Sequence, residues 1–260
     1  MTIVRRLTRG AVITAIAGTA GGAALLAAEV VAARARGYAK PDMRLLMRSS
    51  VGAPGKPVLR LVLLGDATAL GVGVEQVIDT VGGQLAKLLA DGPGGRRVEL
   101  SSVAVARSRS TDLATQVARA LVGSPPDVAV ILVGSNDVAR FSPPALAAAH
   151  LGAAVRRLHE AGVEVVVGTC PDVGALWAFA PPLRQLLGGY GRRLARLQIE
   201  AVRAAGGVPV DLGGDTGAVF RADAGTLCHD GFHPSADGYR VWAHALLPAV
   251  ADAAAVLDNR

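Results

Sequence analysis

From Val58 onward the chain alternates short apolar runs with segments of helical periodicity, and that alternation restricts the fold more than any other feature. Val58 to Leu64 is apolar except for Arg60, as expected of a strand buried in a parallel sheet. Thr80 to Asp91 follows, with Val81, Leu85, Leu88 and Leu89 at helical spacing. Further strands are predicted at Val98 to Val105, Asp127 to Val133, Val163 to Gly168 and Val208 to Leu212. Helices are predicted at Thr111 to Val122, Pro144 to Ala161, Leu183 to Ala205 (with a break at Gly188-Gly189) and Ser235 to Leu257. The pattern predicts an α/β domain whose mostly parallel, five-stranded sheet is covered on both faces. In such sheets sites form at the carboxyl ends of the strands, where Gly65-Asp66, Ala104 to Arg109, Gly134 to Asp137 and Cys170-Pro171 converge.

Charge is distributed unevenly. The formal net charge is +6, but residues 1 to 40 carry six basic residues against one acid, leaving 21 basic and 20 acidic residues elsewhere. A near-neutral body argues against nucleic-acid binding, which runs on clustered phosphate neutralisation. Aromatic residues make up only 3% of the chain, so an extended stacking platform is excluded as well. Arg5, Arg6 and Arg9 precede an uncharged stretch from Gly10 to Ala28, about the length that crosses a bilayer. Residues 1–31 are therefore expected to be a membrane anchor or a signal segment, with the following domain membrane-anchored outside the cytoplasm or secreted. Residues 32–57, broken by Pro41, Pro54, Gly55 and Pro57, read as a linker to the domain at 58–257. Cys170 and Cys228 are either paired or two free thiols.

Three segments carry the chemistry. Gly65-Asp66-Ala67-Thr68 ends the first predicted strand, Gly134-Ser135-Asn136-Asp137 ends the third, and Asp230-Gly231-Phe232-His233 precedes the last helix. Each alone is compatible with an ordinary turn. In this order the chain resembles the SGNH or GDSL hydrolases, a family of esterases and lipases, from about Val58 to the C-terminal helix. The resemblance implies a flavodoxin-like three-layer α/β/α fold. The first family motif, Gly-Asp-Ser, matches at Gly65-Asp66 and departs at Ala67. The third, Gly-x-Asn-Asp, is intact from Gly134 to Asp137, and the fifth, Asp-x-x-His-Pro, is intact at Asp230, His233 and Pro234. The second is weak, and its best register puts Arg107 where a glycine is expected.

The resemblance implies His233 as base, Asp230 as its partner, and Ala67, Arg107 and Asn136 around an oxyanion hole, supported by Asp66, Gly134 and Asp137. Ala67 then occupies the vacated seat of the nucleophile. Thr68, Ser108 and Cys228 are the nearby alternatives, as is a water activated by His233. The expected function is an acyl- or acetyl-ester hydrolase impaired by Ala67, or a non-catalytic binding protein for acylated lipid or carbohydrate, with Phe141, Trp177 and Phe179 lining a small pocket. No cofactor or metal is expected. A dinucleotide site fits poorly, because Gln76 stands at the third glycine position after Gly71 and Gly73.

Overall fold

The computed structural model describes residues 22–40, 48–93 and 95–257. Most of the expected membrane segment, residues 10 to 21, lies outside them, and the helix α1 occupies residues 22–35. The remaining elements are β1 (Arg48–Val51), β2 (Val58–Gly65), α2 (Val81–Asp91), β3 (Arg97–Ser102), α3 (Leu113–Ala120), β4 (Val128–Leu132) and α4 (Ser135–Ala139). They continue with α5 (Pro144–Glu160), β5 (Glu164–Gly168), α6 (Leu183–Ala204), β6 (Val208–Val210), α7 (Leu212–Ala222) and α8 (Ala236–Leu257). The strands form one sheet in the order β1-β3-β2-β4-β5-β6.

All neighbouring strands are parallel except β1, which runs antiparallel to β3 with Arg48 opposite Ser101 and Val51 opposite Val98. The sheet thus has six strands rather than the expected five. The extra strand, Arg-Ser-Ser-Val, falls in the segment read as linker. An edge strand pairs through its backbone on one side only, so its side chains need no apolar signature.

Alternation along β2 explains why its sequence is continuously apolar. Leu59, Leu61 and Leu63 join a core cluster with Leu85 of α2 and Leu246 and Val250 of α8. Val62 and Leu64 join the opposite cluster with Leu113 of α3, Leu151 and Val155 of α5 and Val202 of α6. With helices over both faces, every second side chain meets a different core and neither set stays polar. The exception, Arg60, is exposed and pairs with Asp127 at 2.7 Å.

Glycines account for two further departures from expectation. Gly188 does not break α6, because a Cβ there would meet the Gly174 Cα at 3.0 Å, so the residue permits the helix to pack on the turn at Val173–Ala175. α7 lies where the sequence pattern predicts no helix, and its Gly213, Gly214 and Gly217 weaken helix propensity. Asp211 caps it by accepting the Gly214 N–H at 3.0 Å, and Gly217 lies where a Cβ would meet that of Asp172 at 2.9 Å. Among the described residues α8 is the helix long and apolar enough to cross a membrane, with a mean hydropathy of 1.3, yet Tyr239, Trp242, Leu246 and Val250 are spent on the core.

Gly65 closes β2 with φ +131°, and a Cβ there would lie 1.8 Å from the Leu132 carbonyl oxygen. Gly65→Ala is therefore expected to cost about 3 kcal/mol or more of unfolding free energy. Gly55→Ala, at φ +84° in open space, carries only the left-handed backbone penalty of about 1 kcal/mol. Equal urea midpoints for the two variants would contradict the close strand-end approach.

Candidate active site

The site begins where β2 stops. Gln116 of α3 satisfies both backbone groups of Gly65, accepting its N–H at 2.7 Å and donating to its carbonyl at 2.9 Å. The Asp66 N–H then bonds the Leu132 carbonyl at 3.1 Å, which turns the chain off the sheet. Asp66 Oδ1 accepts the Thr68 N–H at 2.9 Å and the Thr68 hydroxyl at 2.8 Å, an Asx-type turn that sets Ala67 at its apex. Burial pushes the Asp66 carboxyl above the ordinary carboxylate range, against the pull of the two Thr68 hydrogen bonds.

On the neighbouring strand, Gly134 takes φ +142° against Cys170 and opens α4. Asn136 and Asp137 therefore sit in the first turn of a short helix rather than in a simple turn. Asn136 Nδ2 donates to Asp66 Oδ2 at 3.3 Å and to the Ser108 carbonyl at 3.1 Å. Asp137 Oδ2 accepts the Ser110 N–H at 3.0 Å and the Ser110 hydroxyl at 2.9 Å. These two side chains fasten the loop that carries Arg107. Arg107 itself has φ +67°, the left-handed conformation for which glycine is preferred, and this agrees with the motif register that expected glycine there. No described residue engages the N–H of Ala67 or of Arg107.

The third segment closes from the opposite side. Asp230 Oδ2 and His233 Nδ1 are 2.7 Å apart, and Asp230 Oδ1 accepts the N–H groups of Phe232 at 2.9 Å and His233 at 3.0 Å. The remaining ring nitrogen, Nε2, is left for a proton from the cavity. This loop rests on the β2 turn, where a Cβ on Gly73 would meet the Pro234 carbonyl oxygen at 2.7 Å and the His233 Cβ at 3.5 Å. Tyr239 ties the two together by donating to the Val72 carbonyl at 2.7 Å.

Asp66, Ala67, Arg107, Asn136 and His233 all line one cavity of ≈ 980 Å³. Phe141 and Phe179 line it too, whereas Trp177 packs against Gly231 outside the lining. Of the nearby hydroxyls, Thr68 donates to Asp66, and Ser108, which accepts from Gln116 at 3.0 Å, is buried outside the lining. Cys170 and Cys228 are free thiols, and burial pushes that of Cys228 up to about 11. No group of three or more His, Cys, Asp or Glu is placed to hold a metal among the described residues. The arrangement leaves His233 Nε2 able to take a proton and the N–H groups of Ala67 and Arg107 without partners among the described residues, while the side chain at the turn's apex is a methyl group.

These features place one cavity at the carboxyl ends of a doubly covered parallel sheet. Residues 63–241 match the GDSL-like Lipase/Acylhydrolase family, and the chain belongs to it. It is 42% identical over 197 residues to the GDSL-like esterase Rv1075c of Mycobacterium tuberculosis, an alignment covering 75% of this chain and 62% of that relative. Two solved structures show the same fold. TesA aligns with a TM-score of 0.57 at 21% identity, covering 75% of this chain and 99% of that one. The acetylxylan esterase Axe2 from Geobacillus stearothermophilus aligns with a TM-score of 0.52 at 20% identity, covering 77% and 95%.

Two contributions were not read from the sequence. Gln116 lies on the buried stripe with Leu113 and Val117 at i, i+3 and i+4, and a polar residue in such a stripe was the available signal. Gln198 of α6 does the same work one strand over, accepting the Cys170 N–H at 2.7 Å and donating to the Val133 carbonyl at 3.1 Å. The second contribution is the segment after α1. Tyr38 packs edge-on against Phe232 with ring centroids 5.3 Å apart, and the Ala39 N–H donates to Asp230 Oδ2 at 2.8 Å. A backbone donor leaves no trace in residue identity.

Burial alone would raise the Asp230 carboxyl, but the His233 ring and the N–H groups of Ala39, His233 and Phe232 outweigh it and hold it well below the usual range. A carboxylate so depressed contributes its full stability above its unfolded value of about 4 and loses it as pH falls from there. Asp230→Asn is expected to cost about 2 kcal/mol at pH 7. The gap to the parent should narrow below about pH 4. Urea unfolding at pH 7 and pH 3 checks this, and a gap of constant size would show that the carboxylate charge is not what stabilises.

Proposed function

We propose that the chain binds acyl or acetyl esters in this cavity and that their hydrolysis is impaired because Ala67 stands in the nucleophile's seat. The observation that carries the reading is the coexistence, around one cavity, of a paired His233–Asp230, two unengaged N–H groups at Ala67 and Arg107, and a methyl group where attack would start. His233 is assigned as the base, Asp230 as the group that orients it, and the Ala67 and Arg107 N–H groups with the Asn136 amide as the oxyanion hole. Asn136 must exchange its long 3.3 Å bond to Asp66 for the substrate oxygen, an inexpensive trade. Without a nucleophile only binding and oxyanion stabilisation remain, about 10³ to 10⁴ over water.

The charge order of residues 5 to 28 supports an anchored or exported domain, with an acylated envelope component as ligand. A non-catalytic binding role is favoured by one further feature: the Thr68 hydroxyl is committed to Asp66, and Ser108 is buried outside the cavity lining, so neither hydroxyl stands in at the apex.

The test is the purified chain against its Ala67→Ser variant on short p-nitrophenyl esters. The serine is expected to raise kcat/KM by at least about 10³-fold, within the roughly 10⁶-fold that a triad serine is worth. Arg107→Gly in that background shows whether the side chain also obstructs. If both folded variants are inert, and no ester raises the thermal midpoint of the parent, the inherited-site reading fails.

A further inference from the structure

The cavity has a charge pattern that ester chemistry does not require. Arg34, Arg36 and Lys40, at and after the end of α1, line it on one side, and Arg107 and Arg140, from two strand-end loops, line it as well. None of the five forms an ion pair with a described residue, and all are exposed. The acid that lines the cavity is Asp66, which is buried and already bonded to Thr68 and Asn136. Arg107 and Arg140 come from residues 41 to 260, where 21 basic residues stand against 20 acidic, and Arg34, Arg36 and Lys40 come from the basic segment before them.

Apart from Tyr38, Thr68, Asn136 and His233, the rest of the lining is apolar. Val30 of α1 faces the same space as Phe179, Leu183, Leu187 and Phe232. Phe141 is 51% exposed and held at φ +54°, a conformation that L side chains rarely adopt, with its aromatic ring at the cavity. A volume of ≈ 980 Å³ is at the upper end of small-molecule sites, which run from about 300 to 1,000 Å³, and far exceeds what an acetyl group occupies.

We infer that the site takes an anionic amphiphile: an acyl ester whose alcohol part carries a phosphate, with the chain against the apolar lining and the phosphate among the five cations. Four of the five are arginines, whose planar fork suits phosphate oxygens. The inference rests on the ester-site reading above and specifies its ligand class. It also gives the N-terminal segment a role in recognition, because three of the cations and one apolar wall come from residues 30 to 40. That segment follows the uncharged run of residues 10 to 28, which suits a ligand presented at a lipid surface.

The test is titration calorimetry of the full chain with 1-octanoylglycerol 3-phosphate, 1-octanoylglycerol and inorganic phosphate at low salt. The phosphate ester is expected to bind at least about 10-fold tighter than the neutral ester, with the advantage shrinking as salt rises. Arg34→Gln/Arg36→Gln/Lys40→Gln should bring the two esters to within about 3-fold, and Arg140→Gln alone should move them part of the way. Lys87→Gln, on the exposed surface of α2, should change nothing. Equal affinities for the two esters in the parent, or a preference untouched by both cavity variants, overturns the inference. Inorganic phosphate binding as tightly as the octanoyl phosphate also overturns it, since the acyl chain would then be irrelevant. Failure of both octanoyl compounds while Ala67→Ser hydrolyses p-nitrophenyl esters removes the amphiphile but leaves the ester site; failure in both assays removes both.

Discussion

Backbone groups at the carboxyl ends of parallel strands must find hydrogen-bond partners once they leave the ladder and remain buried. Here the partners are side chains. Gln116 closes off Gly65, Gln198 bridges Val133 and Cys170, and Asp66 turns the chain by accepting from Thr68. Each bond is worth roughly 1 kcal/mol when made and more when one partner is removed, so the strand-end loops are rigid by necessity. Glycines permit the approach: Gly65 against Leu132, Gly134 against Cys170 and Gly73 against Pro234. The position of every group around the cavity follows from this satisfaction of strand ends.

On the proposed reading of Ala67, that dependence explains how the site keeps its shape without a hydroxyl at the turn's apex. The residues that resemble catalytic machinery also hold the fold together. Asn136 links the β2 turn to the Ser108 carbonyl, Asp137 anchors the start of the following helical turn at Ser110, and Asp230 gathers four donors from two segments. Replacing any of them strands a buried polar group, whereas replacing a serine at the turn's apex with alanine strands nothing. Ala67 keeps the backbone N–H and loses only a side chain that faced the cavity. On that reading, a change at the apex leaves the surrounding hydrogen bonds and hence the geometry of the cavity intact.

The sequence was most legible where burial is symmetric. Val58 to Leu64 and Asp127 to Val133 stand between two helical layers, so both faces are apolar and the strands appear as apolar runs, broken in the first only at the exposed Arg60. Arg48–Val51 was invisible because an edge strand is defined by backbone pairing, and its alternation of exposed and half-buried residues carries no apolar face. α7 was hidden by glycines that close packing demands, while α6 looked broken for the same reason at Gly188. At the site, Gly65-Asp66, Gly134 to Asp137 and Asp230 to His233, singled out by their order in the chain, meet around one cavity in the structure. The uncertain register at Arg107 is consistent with its φ of +67°, a conformation that betrays the position's need for glycine even with arginine in it.

The segment before the sheet resisted sequence reading for a different reason. Residues 30 to 40 divide between an expected anchor and an expected linker, neither of which predicts contact with a site 190 residues away in the chain. In the structure Glu29 accepts the Leu183 N–H at the start of α6 at 2.9 Å, Tyr38 rests on Phe232 and the Ala39 N–H reaches Asp230. These contacts couple the orientation of the His233–Asp230 pair to the docking of the N-terminal segment, since Ala39 is one of the donors that hold Asp230 ionised. A chain cut after this segment would lose a cavity wall, three cations and a hydrogen bond to the pair at once. Domain boundaries drawn from composition alone therefore separate what the physical chemistry joins.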